Sequence, residues 1–250
     1  MDLPAPVYDD GMVVLYHADA RDLAGRIRAD LVIADPPYGE TSLEWDRWLS
    51  DWPGLLDASS MWCFGSMRMF IERGDEFREA GWRLSQDLVW EKHNGSSFHA
   101  DRFKRVHEAV THWYRGAWAD IHHETPTTPD ARAMVVRRKQ RPSHTGEIAD
   151  STYVSHDGGP RLMRSVIYSR SCHGYALHPT QKPTAVIEPL IVYGCPPGGL
   201  VLDPFAGSGS SLLAARATGR RAVGIEVREE YVEAAISRLA QGTLDFAGTG

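Results

Sequence analysis

Two short stretches hold the residues best suited to chemistry. The first, Asp35-Pro36-Pro37-Tyr38, follows the apolar run Leu31-Val32-Ile33-Ala34. Such a run reads as a buried strand, and two prolines cannot continue its hydrogen-bond ladder, so the chain must leave the sheet at Asp35. A carboxylate and an aromatic ring are thereby left at a strand's C-terminal end, the edge where open parallel sheets place their ligands. Proline also restricts the backbone on either side, which makes the carbonyls of Asp35 and Pro36 acceptors with little freedom to move. Acceptors held this way suit a substrate that offers an amino group. An isolated Asp-Pro-Pro is also a common turn, so the stretch takes its meaning from the second.

That second stretch is Asp203-Pro204-Phe205-Ala206-Gly207-Ser208-Gly209, again at the end of an apolar run, Leu200-Val201-Leu202. Here a glycine-rich loop opens into a helix predicted over 211–218. Gly207 and Gly209 let the backbone approach a ligand closely, and the helix start offers free N–H groups. Leu212 stands where a dinucleotide fingerprint needs its third glycine, and no Gly-Lys-Ser/Thr follows, so neither a dinucleotide nor a phosphate loop is indicated. A further strand, Arg221-Ala222-Val223-Gly224-Ile225, ends in Glu226 about 20 positions later, the separation at which an acidic residue grips a ribose diol. A nucleoside is implied. Asp203 and Phe205 suit one with a cationic, apolar tail, and S-adenosylmethionine has both properties.

These residues need a scaffold, and the chain supplies an α/β alternation. Met12–Tyr16 reads as a strand and 20–28 as a short helix; with Leu31–Ala34 they make a βαβ unit whose first strand runs into Asp19. Asp19 would either cap that helix or meet a ligand on the same edge. Trp45, Trp48 and Trp52 follow the first stretch, and their spacing favours packing onto the core. A strand over 61–65, a helix over 67–80, a strand over 84–90, a polar loop over 91–97 and a strand over 109–114 continue the pattern. From Gly116 to Tyr175 the rhythm is lost, and the stretch contains Arg137-Arg138-Lys139-Gln140-Arg141. A structureless segment of this length points to a binding insertion. Order returns with His178-Pro179-Thr180-Gln181-Lys182-Pro183, then helices over 184–193 and 229–239.

Composition sets the wider bounds. With 250 residues, 42% of them hydrophobic, the chain can bury one large core. No apolar run is long enough to span a membrane, and Met1-Asp2-Leu3-Pro4 is not the start of a signal peptide, so a soluble, cytoplasmic protein is expected. Cys63, Cys172 and Cys195 form no Cys-x-x-Cys pair, which argues for reduced thiols and against structural zinc. Adjacent His122 and His123 point apart on an extended chain, so no metal is expected. The net charge is −6, yet residues 131–170 hold eight basic residues against three acidic ones. That segregation predicts a polyanion bound through one segment of an acidic body.

Taken together, Asp35-Pro36-Pro37-Tyr38, His178-Pro179-Thr180-Gln181-Lys182-Pro183 and Asp203-Pro204-Phe205-Ala206-Gly207-Ser208-Gly209 resemble, in that order, the motifs of the β-class DNA amino-methyltransferases. The resemblance runs from about Val13 to Leu239. It implies a Rossmann-like S-adenosylmethionine-dependent methyltransferase fold with permuted motif order: a catalytic half over 1–115, an inserted target-recognition region over 116–175 and a cofactor half over 176–250. Asp35 and the Pro36 carbonyl would accept from the target amine, with Pro37 stiffening the loop and Tyr38 stacking on a flipped base. Asp203, Pro204, Phe205, Ala206, Gly207, Ser208 and Gly209 would hold the methionine part of the cofactor, together with Asp35. Glu226 would take its ribose and Asp19 its adenine, with Thr180 and Lys182 near the methionine end. Arg137, Arg138, Lys139 and Arg141 would contact phosphates of double-stranded DNA. Asp at the first catalytic position leans towards adenine N6, with cytosine N4 the alternative and an RNA or protein-glutamine amine less favoured. Cys195 lies outside the catalytic motif, so methylation at carbon 5 of cytosine is not expected. Members of this family often form homodimers, for which the tryptophan-rich loop would offer a surface, and the resemblance implies a place in restriction-modification.

Overall fold

The computed structural model describes residues 3–96, 101, 103–137, 152–171 and 181–247. In chain order its strands are β1 (Tyr8–Asp9), β2 (Val13–His17), β3 (Leu31–Ala34), β4 (Ser60–Gly65), β5 (Arg83–Ser96), β6 (Arg105–Tyr114), β7 (Thr127–Thr128), β8 (Met134–Arg137), β9 (Thr152–Ser155), β10 (Arg161–Leu162), β11 (Val166–Tyr168), β12 (Leu200–Asp203) and β13 (Arg221–Glu226). The helices are α1 (Ala20–Leu23), α2 (Trp52–Leu55), α3 (Met67–Glu79), α4 (Thr184–Gly194), α5 (Ser210–Ala217) and α6 (Glu229–Ala247). The chain divides into two compact units, one of residues 1–124 with 165–250 and one of Thr125–Arg164.

The first unit is built on a sheet in the order β1-β2-β13-β12-β3-β4-β6-β5-β11. From β2 to β4 the pairs are parallel, while β6 runs antiparallel to both β4 and β5. Alternation along the central strands explains why both faces are covered. Leu31 and Ile33 of β3 join a cluster with Val186, Ile187 and Leu190 of α4 and Leu212 of α5. Val32 and Ala34, one step out of phase, pack with Leu23 of α1, Trp52 of α2 and Phe77 of α3. Helices therefore clothe both sides of a mostly parallel sheet, the doubly wound α/β arrangement.

Two expectations change. Residues 91–96 are not a polar loop, because β5 continues through them as an arm paired with β6, with an irregularity between Glu91 and Ser96. The stretch 116–175 is not structureless: β11 pairs with β5 in the first unit, and the described residues of the second unit hold two antiparallel ribbons, β7 with β10 and β8 with β9. Trp48 and Trp52 are buried, in edge-on or tilted contact with Phe77, so these two rings pack onto the core as their spacing predicts.

Candidate active site

β3 and β12 are parallel neighbours, with Leu31 opposite Val201 and Val32 opposite Leu202. The chain leaves β12 for α5 on one face and leaves β3 towards α2 on the other. Their C-terminal ends consequently part and open a crevice. A cavity of about 1370 Å³ lies there, and its wall includes Asp19, Asp35, Pro36, Pro37, Tyr38, Lys182, Asp203 to Ser208, and Glu226. Gly209 stands just behind the wall as the N-terminal cap of α5, with φ +77, and a Cβ on it would lie 3.3 Å from that of Ala235. Among the residues singled out from the sequence, Thr180, Arg138, Lys139 and Arg141 lie outside the described residues. Arg137 is the last residue of β8 in the second unit.

Asp35 is gripped from two sides. Lys182 Nζ donates to its Oδ2 at 2.6 Å, and the Tyr38 hydroxyl donates to its Oδ1 at 2.9 Å. Lys182 is buried, and its ammonium also lies 3.4 Å from Glu108 Oε2. Burial pulls the lysine pKa down, but the two carboxylates outweigh it and push it up to about 12, so this cation stays charged. Burial raises the pKa of Asp35, with Lys182 acting against it. Around the corner of the cavity, Asp203 accepts from the Ser211 hydroxyl and, at 2.9 Å, from Phe205 N–H. Those bonds do not offset its burial, which pushes it up to about 7. Glu226 accepts from Gly207 N–H and Arg228 N–H, each at 2.8 Å, and burial raises its pKa too.

Three carboxylates thus meet at one cavity, each biased by burial towards its neutral form. Such a site gains most from a ligand that brings positive charge. S-adenosylmethionine carries an ammonium and a sulfonium, so the residues present fit it. Asp19 also lines the cavity, although one of its oxygens caps α1 through Arg21 N–H at 2.9 Å and the other takes the Arg21 guanidinium at 2.6 Å.

Three residues of the site have no counterpart among those singled out from the sequence. Asp46 accepts four successive backbone N–H groups, those of Tyr38, Gly39, Glu40 and Thr41, at 2.6–3.2 Å. It thereby sets the path of the chain out of the first motif. Glu108 and Lys92 form a half-buried pair on β6 and β5. None of the three closes an apolar run or adjoins a proline or glycine break, the local signals that mark Asp35, Asp203 and Glu226.

A family model described as DNA methylase, of the N6/N4 type, matches residues 29–237. The chain belongs to this family of DNA methylases. It is an S-adenosylmethionine-dependent DNA methyltransferase, and the fold and cofactor implied by its motifs are those of the family. Among curated relatives, the Type II methyltransferase M.ScaI of Streptomyces caespitosus is 25% identical over 260 residues, which is 95% of this chain and 84% of the relative. The Type II methyltransferase M2.LlaDCHI of Lactococcus lactis subsp. cremoris is 25% identical over 273 residues, 95% of this chain and 93% of its own. The solved complex of M1.HpyAVI with S-adenosylmethionine superposes with a TM-score of 0.61 at 25% identity, covering 91% of this chain and 99% of that one. This DNA methylase also shares its fold with the cytosine-N4-specific PvuII methyltransferase, at a TM-score of 0.61 and 16% identity over 93% of this chain and 88% of that one. No helix among the described residues is long and apolar enough to cross a membrane.

Proposed function

We propose that this methylase modifies the exocyclic N6 amine of adenine in double-stranded DNA, as the modification component of a type II restriction-modification pair. The observation that carries the reading is the Asp35 carboxylate, held by Lys182 and Tyr38 at the edge of the cavity that Asp203 also lines. An exocyclic amine is a poor nucleophile because its lone pair is delocalised into the ring. Fixed acceptors at Asp35 and the Pro36 carbonyl draw on its N–H bonds and aim the pair, by positioning and electrostatics alone. When bound, S-adenosylmethionine supplies an activated methyl group. The methyl group would pass to the nitrogen as its bond to sulfur breaks, the amine's surplus proton going to solvent.

The roles of the remaining residues follow the same reading. Tyr38 stacks on a base flipped out of the duplex, which recovers part of the few kcal/mol that flipping costs. Asp203, Phe205 and the 206–209 loop hold the methionine part of the cofactor, Glu226 the ribose and Asp19 the adenine. Lys182 and Thr180 lie towards the reacting end. The 116–175 region recognises the target, with Arg137, Arg138, Lys139 and Arg141 on phosphates, contacts that position DNA and carry no sequence information. Asp35 at the head of the motif favours adenine over cytosine.

Incubation with unmethylated DNA and labelled S-adenosylmethionine, followed by nucleoside mass spectrometry, tests the assignment. The expected product is N6-methyldeoxyadenosine. N4-methyldeoxycytidine would overturn the choice of base and keep the mechanism, whereas transfer only to RNA or protein would overturn the choice of substrate.

A further inference from the structure

The contacts that reach Asp35 do not end at Lys182. Glu108 of β6 lies directly across from Trp90 of β5, and Lys92 is two positions along β5 on the same face. Lys92 donates to Glu108 Oε1, and its ammonium lies 4.6 Å from the centre of the Trp90 ring. Glu108 Oε2 is buried and meets Lys182 Nζ at 3.4 Å. Four charges of alternating sign therefore run from the β5–β6 arm to the crevice: Lys92, Glu108, Lys182 and Asp35. The side chains of Lys182 and Glu108 are only 7% and 12% exposed, so solvent screens this line weakly.

A buried ion pair is a poor stabilising device, since apolar residues of equal volume hold a fold as well or better. Its geometry here serves another end. Lys182 sits between two carboxylates that compete for it, and Lys92 partly neutralises one competitor. We propose that Lys92 and Glu108 are positioning residues for Asp35, acting through Lys182 to set how strongly that ammonium binds the carboxylate at the head of the motif. The proposal rests on the reading of Asp35 as the acceptor of the target amine. Other groups that face Asp35 are the Tyr38 hydroxyl from its own loop, the Cys63 thiol from β4 and Asp203 from β12.

The two substitutions have opposite signs. Glu108→Gln removes a negative charge near Asp35 and relieves the competition for Lys182, which favours the ionised carboxylate. Lys92→Met frees Glu108 to compete for Lys182, which disfavours it. In full-length protein labelled at the aspartate carboxyl carbon and free of cofactor, an NMR titration reads this directly, with the Asp35 signal assigned by its loss in Asp35→Asn. The Asp35 midpoint should fall by about one pH unit in Glu108→Gln, rise by about as much in Lys92→Met, and stay near wild type in Lys92→Arg. The acidic limb of the pH profile for single-turnover methylation should move the same two ways.

Shifts of the same sign, or none, in folded variants would overturn the proposal. Should Glu108→Gln fail to fold, the contrast between Lys92→Met and Lys92→Arg decides alone, since a merely structural lysine would give no such split. Full methylation by Asp35→Ala would instead remove the reading beneath it, while the NMR midpoints would still report whether the charges are coupled.

Discussion

Asp35 keeps acceptor capacity although both of its oxygens are engaged, because an ionised carboxylate offers about four lone-pair sites and Lys182 and Tyr38 occupy two. Its removal should therefore strike transfer and spare cofactor binding. Asp35→Ala is expected to lower single-turnover methylation by about 10²–10³-fold or more, with S-adenosylmethionine still binding in calorimetry. Asp203 makes a different prediction, since burial pushes it up to about 7. A carboxyl raised above its unfolded value of about 4 opposes folding progressively as pH climbs from about 4 to 7, the window in which the unfolded chain ionises first. A cationic ligand reverses the preference and draws the proton off. S-adenosylmethionine binding at pH 6 should thus release close to one proton, seen as a dependence of the calorimetric enthalpy on buffer ionisation, and affinity should weaken as pH falls. Asp203→Asn should abolish that dependence.

The connection after β3 shows how one side chain can organise an element that has no regular structure of its own. Two prolines remove N–H donors at Pro36 and Pro37, and the next four N–H groups all converge on Asp46. The loop is tied down further where Ser66, the N-cap of α3, donates to Glu40. Asp46→Ala leaves four donors without their acceptor and should cost roughly 2–3 kcal/mol in denaturant unfolding. Because Tyr38 is one of those donors, kcat should fall as well. Asp46→Asn keeps one carbonyl oxygen, so intermediate losses are expected in both measurements.

The whole molecule is acidic, yet residues 131–170 carry a local excess of basic side chains. In such a chain the segment is where a polyanion gains most, which makes its effect on binding separable from catalysis. Replacing Arg137, Arg138, Lys139 and Arg141 by glutamine should weaken DNA binding uniformly across sequences. It should also flatten the salt dependence, by about 0.9 in the slope of log K against log salt for each phosphate no longer neutralised. Cofactor affinity, measured in the same variant, should not change. The halves of the first unit are a different matter: β12 and β13 from the end of the chain lie between β2 and β3 from its start. Neither half contains a complete crevice, so the Asp35 and Asp203 stretches form one site only when the central sheet closes.

Strand ends were readable in the amino-acid sequence because burial and chain reversal leave local marks. Apolar runs broken by Asp-Pro or closed by Glu placed Asp35, Asp203 and Glu226 on one edge, and the order of three motifs declared the family. Those signals are short-range, set by proline's missing N–H and by glycine's freedom at positive φ. Lys92, Glu108 and Asp46 left no such mark. The polar run 91–96 looks like a loop because nothing within it shows that β6 will pair with it, and Glu108 reads as an ordinary surface acid until that pairing turns it towards the α4 side of the sheet. The 147 positions between Asp35 and Lys182 likewise carry no trace of their contact. A buried charge is acceptable only where another is brought to it, and that meeting is made by strand register and packing across the sheet. The sequence by itself determined the chemistry available at the edge; the tertiary structure alone decided which charges face one another there.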